Sequence, residues 1–198
     1  MADLFKDKAK VWDSGSIRVN GAKKIADAIR EEFKLHKQMQ ILDFGVGTGL
    51  LGFDIASSVG QMYGADISAE MINKLQEKNT SQLSIITYTQ DIIKEPLEQV
   101  FDGIISSMTL HHIEHLKDFF GTIYNNLVDG GFIAIADLQT EDGTFHSDNT
   151  GVFHFGFDKD TLIKIAQESG FKNVKFKNIN TIQKPEKDFG IFLLTATK

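Results

Sequence analysis

The stretch Ile41-Leu42-Asp43-Phe44-Gly45-Val46-Gly47-Thr48-Gly49-Leu50-Leu51-Gly52 constrains this chain more than any other. An apolar run meets an acid, and the acid meets glycines at alternate positions. That order predicts a buried strand, a tight loop and a helix start. Glycine admits positive φ and lets a ligand come close to the main chain. The first turn of the helix behind it offers unpaired N–H groups. Asp43 adds a fixed negative charge beside the loop.

Two ligands suit this arrangement. Gly47-x-Gly49-x-x-Gly52 meets the dinucleotide fingerprint, and Asp66 lies about twenty residues further on, as that fingerprint wants. A nicotinamide oxidoreductase is therefore one reading. The other ligand is S-adenosylmethionine, which carries a sulfonium, an ammonium, a carboxylate and a ribose but no phosphate. Asp43 repels a pyrophosphate and attracts the cationic methionine end. At ~5 Å and an effective dielectric near 20, one such pair is worth about 3 kcal/mol before desolvation. A local role for Asp43, capping the helix or bonding the loop, is compatible with either ligand.

Composition narrows the class. The 198 residues are 41% apolar, with two prolines and no cysteine. One domain with a sizeable core is expected, with neither a disulfide framework nor a thiol nucleophile. No apolar run reaches membrane-span length and no signal-peptide pattern opens the chain, so a cytoplasmic location is expected. The net charge of −6 disfavours a nucleic-acid partner. Residues 1–37 are locally basic, which reads as a solvated helical face.

Strands and helices alternate along the chain. A helix is expected over 20–36, with Asn20 as its cap, then strands near 40–44, 61–66, 84–88, 102–106 and 131–137. Helices are expected near 49–59, after Ser68, near 115–127 and over Asp158–Ser169. The last two strands, near 172–178 and 189–197, follow each other directly and should pair antiparallel. This pattern predicts an α/β fold with a mostly parallel sheet covered on both faces. The one irregular stretch, 138–157, leaves the fifth strand at the sheet edge where open α/β sheets place ligands.

The loop resembles motif I of the class I S-adenosylmethionine-dependent methyltransferases: an apolar run, Asp or Glu, x, Gly-x-Gly-x-Gly. Gly64-Ala65-Asp66-Ile67-Ser68 resembles the end of that family's second strand. Gln90-Asp91-Ile92 resembles the segment after the third, and Phe101–Ser107 the fourth strand. Leu127-Val128-Asp129-Gly130-Gly131-Phe132 is similar to the turn before the fifth, with Asp129 where the family usually has proline. The likeness is greatest to the small-molecule enzymes grouped with quinone-biosynthesis methyltransferases. It implies a Rossmann-like seven-stranded sheet with a reversed final strand, formed by residues 38–198, behind an N-terminal helical cap or lid over 1–37. It implies that Asp43, Gly45, Gly47, Gly49, Asp66, Ile67, Met71, Asp91, Ile92 and Ser107 bind S-adenosylmethionine, whose product is S-adenosylhomocysteine. Asp66 would hold the ribose hydroxyls through bonds worth about 1.5–3 kcal/mol each, and Asp91 the adenine amino group. Phe5 and Trp12 would fold over the cofactor. Asp102, at a strand start, reads as structural.

Five of the six histidines fall between 111 and 154. His111 and His115 have the i, i+4 spacing of metal ligands on a helix, with Glu114, Asp137 or His146 as a third, but the H-E-x-x-H order is missing and no metal is expected. His112 follows the fourth strand and His146 lies in the long loop, which places both as candidate general bases near neutral pH. The expected activity is methyl transfer to a small-molecule acceptor. A binding protein that keeps the cofactor and lacks turnover is the alternative from another class. Acceptor, methylated atom and oligomeric state stay open.

Overall fold

The computed structural model describes residues 9–198. Its strands are β1 (Gln40–Phe44), β2 (Gln61–Asp66), β3 (Ile85–Thr89), β4 (Phe101–Ser107), β5 (Leu127–Leu138), β6 (Lys172–Gln183) and β7 (Asp188–Thr197). They form one sheet in the order β3-β2-β1-β4-β5-β7-β6. β7 runs antiparallel between β5 and β6, and the other six strands share one direction. The helices are α1 (Ser16–Glu32), α2 (Leu50–Ala56), α3 (Ala69–Gln76), α4 (Leu116–Asn125) and α5 (Lys159–Glu168).

Side chains alternate between the two sheet faces, and this sorts the core into two layers. Ile41, Ile105, Ala134 and Ile191 join Ile25 and Ile29 of α1, Ile55 of α2 and Leu75 of α3 on one face. Their sequence neighbours Leu42, Ile104, Ile133 and Phe192 join Phe119 and Phe120 of α4 and Leu162 of α5 on the other. The central strands therefore read as continuous apolar runs, because both faces are covered.

The caps are local chemistry. Ser68 Oγ accepts the Met71 N–H at the start of α3, and Asp158 Oδ1 accepts the Thr161 N–H at the start of α5. Asn20 is not a cap: α1 starts at Ser16, with Gly15 at the N-cap position in extended conformation. Nothing between Ser16 and Asn20 breaks a helix, so the apolar stripe Ala22, Ile25, Ala26 and Ile29 carries the helix one turn further back than expected. The helix ends at Glu32, and Phe33 turns to stack on Phe132 with centroids 3.9 Å apart. β5 also begins four residues early. Asp129-Gly130-Gly131 lies inside it, with Gly130 at φ 78°, and the β4–β5 register shifts between Phe101 and Gly103 to absorb the distortion.

α1 is bound to the sheet's edge strand by charge as well as by packing. Glu32 accepts hydrogen bonds from Lys177 and from Lys175, the latter at 3.0 Å. Those bonds, Lys177 first, hold the Glu32 carboxyl below its usual range. Glu32→Ala is expected to cost about 1 kcal/mol in chemical denaturation, most of it at low salt. An unchanged midpoint at low salt would mean that packing alone holds α1.

Candidate functional site

β1 is central. The chain leaves it toward β2 on one side, while β4 flanks it on the other, so a topological switch point opens at their C-terminal ends. The glycine loop after β1 and the turn after β4 face each other there. Ser106 Oγ donates to the Phe44 carbonyl at 2.7 Å, and Thr109 Oγ1 donates to the Gly45 carbonyl at 3.4 Å. Gly45 has φ 70°, and a Cβ on it would lie 2.3 Å from the Thr109 side chain. At Gly47 (φ 54°) a Cβ would meet nothing within 4 Å. The first of these glycines packs against protein, whereas the second borders open space.

The loop's N–H groups are largely committed. Gly45 and Val46 donate to the Ala65 carbonyl at 2.8 and 3.1 Å, and Gly49 donates to the Val46 carbonyl at 2.8 Å. Gly47 donates to Asp66 Oδ2 at 2.8 Å. An anion cradle needs those donors free, and in this loop a carboxylate already takes the one at its centre.

Asp66 ends β2, and its Oδ1 accepts the Ser68 N–H at 2.8 Å. Next to it, Ile67 is 63% exposed, a large apolar side chain turned to solvent. Asp43 is 2% exposed, and its Oδ2 has no hydrogen-bond partner among the described residues. Burial first, and then the charge of Asp66, push the Asp43 carboxyl well above the usual range, against a bond from the Gly52 N–H. The fixed negative charge expected from the sequence is therefore costly at this buried position, where the carboxyl keeps its proton unless a cation is brought beside it.

The other expected cofactor residues fall into distinct settings. Met71 and Ile92 are buried, and Ile92 belongs to the second core layer, so a ligand would meet its main chain. Asp91 closes a turn through Oδ1 and the Ile93 N–H, and it pairs with Lys94 at 2.8 Å. Ser107 ends β4, its carbonyl accepting from Thr109 Oγ1 at 3.2 Å. Trp12 lies in a 3₁₀ turn over Ala9–Ser14, under the Arg18 guanidinium at 4.4 Å. That turn is tied to the glycine loop. Asp13 accepts from Thr48 Oγ1 at 2.5 Å and pairs with Lys78 at 2.7 Å. Phe5 lies outside the described residues. Asp102 accepts the Gln40 N–H at 2.7 Å, a structural contact between strand starts.

The histidines gather on the β4 side. His111 and His112 occupy a 3₁₀ turn, and His115 precedes α4, so His111 and His115 do not share a helical face. His146 comes in from the loop over 139–157, with its ring centroid 4.9 Å from that of His111 and 6.0 Å from that of His112. His112 Nδ1 lies 2.7 Å from the Gly151 carbonyl. A carbonyl only accepts, so Nδ1 carries the proton and Nε2 is the accepting nitrogen. Burial, then the neighbouring His111 and His112, lower His146 to about 4, which keeps it neutral at pH 7. Among the described residues no group of three or more histidine or acidic side chains could hold a metal ion.

A family profile described as a methyltransferase domain matches residues 35–153, which contain the glycine loop, Asp66 and the 3₁₀ histidines. The chain belongs to this methyltransferase family. An uncharacterised methyltransferase of Schizosaccharomyces pombe is 28% identical over 166 residues, covering 75% of this chain and 57% of its own length. The juvenile hormone acid O-methyltransferase of Drosophila melanogaster is 29% identical over 109 residues, 50% of this chain and 37% of that protein. The chain thus spans only about half the length of such relatives, or less. Among solved structures, phosphoethanolamine N-methyltransferase 2 of Haemonchus contortus, with S-adenosylmethionine, superposes with a TM-score of 0.72 at 17% identity, covering 100% of this chain and 60% of that one. The magnesium protoporphyrin IX methyltransferase of Synechocystis, with the same molecule bound, gives 0.69 at 16% identity, covering 92% and 80%. Both likenesses are of fold: a Rossmann-like sheet with helices and a reversed last strand.

Within this methyltransferase fold, Asp137 and His111, which the sequence brings together only as alternative metal ligands, pair directly. Asp137 is 0% exposed at the end of β5. Its Oδ1 lies 2.8 Å from His111 Nδ1, and its Oδ2 accepts the His111 N–H at 3.1 Å. A usable signal was present: Asp137 is a lone acid in the apolar run Phe132-Ile133-Ala134-Ile135-Ala136-Asp137-Leu138. A buried carboxylate needs a donor, and a histidine at the end of the adjacent strand is the nearest chemistry able to give one.

Proposed function

We propose that this domain transfers the methyl group of S-adenosylmethionine to a small-molecule acceptor. The observation carrying this reading is the pairing of a closed anion cradle with a buried, half-partnered carboxylate. Gly47 N–H is taken by Asp66, while Asp43 Oδ2 lacks a partner. Such a loop repels a diphosphate and suits a cationic ligand of the same length.

In this assignment Asp43 lies toward the cationic methionine end and Asp66 toward the ribose hydroxyls. Ile67 and Met71 form an apolar wall for the adenine, Asp91 and the Ile92 main chain its polar edge. Ser107 borders the reacting methyl, and Trp12 belongs to a segment covering the loop. When bound, the sulfonium supplies a methyl group that is already reactive. The residues therefore have to align acceptor and donor and exclude water. The loop over 139–157 closes one side: Phe153 and His154 donate to the His111 carbonyl at 3.0 and 3.3 Å. Its aromatics and histidines suit a small, partly apolar acceptor of the kind the quinone-biosynthesis enzymes use.

Calorimetric titration tests this reading. S-adenosylhomocysteine is expected to bind with a Kd in the micromolar range (about −8 kcal/mol) and NADH not to bind. NADH binding with no response to S-adenosylhomocysteine would instead make the domain an oxidoreductase. Binding of the adenosyl compounds with no product from a broad panel of acceptors would make it a sensor.

A further inference from the structure

We propose that His111, and neither of the two histidines expected from the sequence, takes the proton from the acceptor, and that the acceptor is a phenolic or enolic hydroxyl compound. This rests on the methyl-transfer reading and extends it.

Three observations converge. First, Asp137 fixes the tautomer of His111. A carboxylate only accepts, so the 2.8 Å contact puts a proton on Nδ1, and in the neutral ring the lone pair is then on Nε2. His111 is 1% exposed, and its Nε2 is buried with no hydrogen-bond partner among the described residues. Second, the same is true of His146 Nε2, on the ring stacked obliquely against His111. Two unpartnered imidazole nitrogens buried in one place are costly, and the accepting one on His111 is relieved by a donor. Third, that donor comes in by way of the loop. His146 sits on the segment covering His111, so moving the segment uncovers Nε2. The segment is held by contacts that can be exchanged: Lys187 to Asp142 at 2.9 Å, Lys184 to the Phe145 carbonyl, and His112 to Gly151.

The surroundings select the donor. The charged and titratable groups against His111 are Asp137, His112 and His146, and beyond them Lys184, from the turn between β6 and β7, is felt at His146. A carboxylic acid is already ionised at neutral pH, needs no base, and would face nitrogen lone pairs. An ammonium would be repelled by Lys184. An aliphatic alcohol is a far weaker acid than a phenol and holds its proton more tightly against an imidazole base. A phenol, at about 10, is acidic enough for an imidazole base to assist its loss of a proton. Phe145, edge-on to His146 at 4.8 Å, gives such a ring an apolar neighbour, and Lys184 lies 4.3 Å over the Phe145 ring, placed to favour a nascent phenolate.

The step balances. The hydroxyl proton passes to His111 Nε2, and the oxygen lone pair forms the new bond to the methyl carbon. The carbon–sulfur bond breaks with its electron pair going to sulfur, which becomes a neutral thioether. The positive charge lost at sulfur reappears as imidazolium against Asp137, and the proton leaves to water as the loop opens.

The test uses 4-nitrophenol, whose ionised form absorbs at longer wavelength, added to the full chain with and without S-adenosylhomocysteine. With wild type, the bound probe should show the phenolate band below the pH at which it ionises in solution. With His111→Gln, that shift should vanish and affinity should fall by about tenfold or more. Asp137→Asn should reduce the shift and change the tautomer of His111 seen by ¹⁵N NMR, which a packing role would leave on Nδ1. Circular dichroism verifies folding, and Asp137→Asn serves if the glutamine variant does not fold. An unshifted wild-type spectrum, or the same shift in both variants, overturns the proposal. A spectral shift in a chain that ignores S-adenosylhomocysteine would keep the proton acceptor and remove the methyl-transfer reading instead.

Discussion

Asp66→Ala is expected to weaken S-adenosylmethionine binding by at least about tenfold, or ~1.4 kcal/mol, measured by calorimetry on folded protein. Two effects add. In the assigned role, the carboxylate accepts from the vicinal ribose hydroxyls, and a charge-assisted bond of that kind is worth about 1.5–3 kcal/mol. The same side chain also holds the loop in shape, through Gly47 N–H on Oδ2 and Ser68 N–H on Oδ1, both at 2.8 Å. Alanine removes both, so thermal stability should fall as well, by about 1 kcal/mol. Asp66→Asn separates the two. It keeps one acceptor oxygen for the loop but halves what the ribose can use, so it should recover stability before it recovers affinity. Equal affinity in wild type and Asp66→Ala would remove the ribose assignment and leave Asp66 as a loop-former.

The sheet was readable because its signals are local and redundant. Ile41 and Leu42 lie in a run too apolar for anything but a two-sided buried strand, and they do enter opposite core layers. Ser68 and Asp158 announce their helices by capping chemistry, and each makes the expected bond. The reversed β7 followed from two strands with no helix between them. What failed was local chemistry overruled from a distance. Asn20 reads as a cap until the α1 stripe pulls the helix back to Ser16. Asp129-Gly130-Gly131 reads as a turn, but β4 pairs with Leu127 before it and Phe132 after it, so the segment is an irregularity inside β5. The site divides in the same way. The glycine loop and Asp66 are contiguous motifs whose order along the chain fixes their place at the sheet edge. The Asp137–His111 pair joins residues 26 apart, and no spacing rule links the ends of two neighbouring strands. Electrostatics was the least readable part. The sequence shows that Asp43 is acidic, but only burial tells what that acidity costs.

That cost makes Asp43→Asn informative, because it should move stability and affinity in opposite directions. With the folded carboxyl raised above its unfolded value, the native chain keeps a proton that the unfolded chain has released. Folding stability contributed by Asp43 is therefore greatest at low pH and is lost as pH rises from about 4 toward the folded value. Asparagine carries no charge and escapes this loss. Without ligand, the variant and wild type should melt together near pH 4, and the variant should gain about 1–2 kcal/mol by pH 8, where wild type must bury a carboxylate with an unpartnered oxygen. A cationic ligand reverses the balance. It supplies the partner that Asp43 Oδ2 lacks, so wild type should bind S-adenosylmethionine about tenfold or more tightly than Asp43→Asn at pH 8, with the gap closing at lower pH. A pH-independent melting difference together with equal affinities would sink the electrostatic role. Asp43 would then be no more than the residue that ties β1 to Gly52, and the preference for an adenosyl cation would have to come from the closed loop alone.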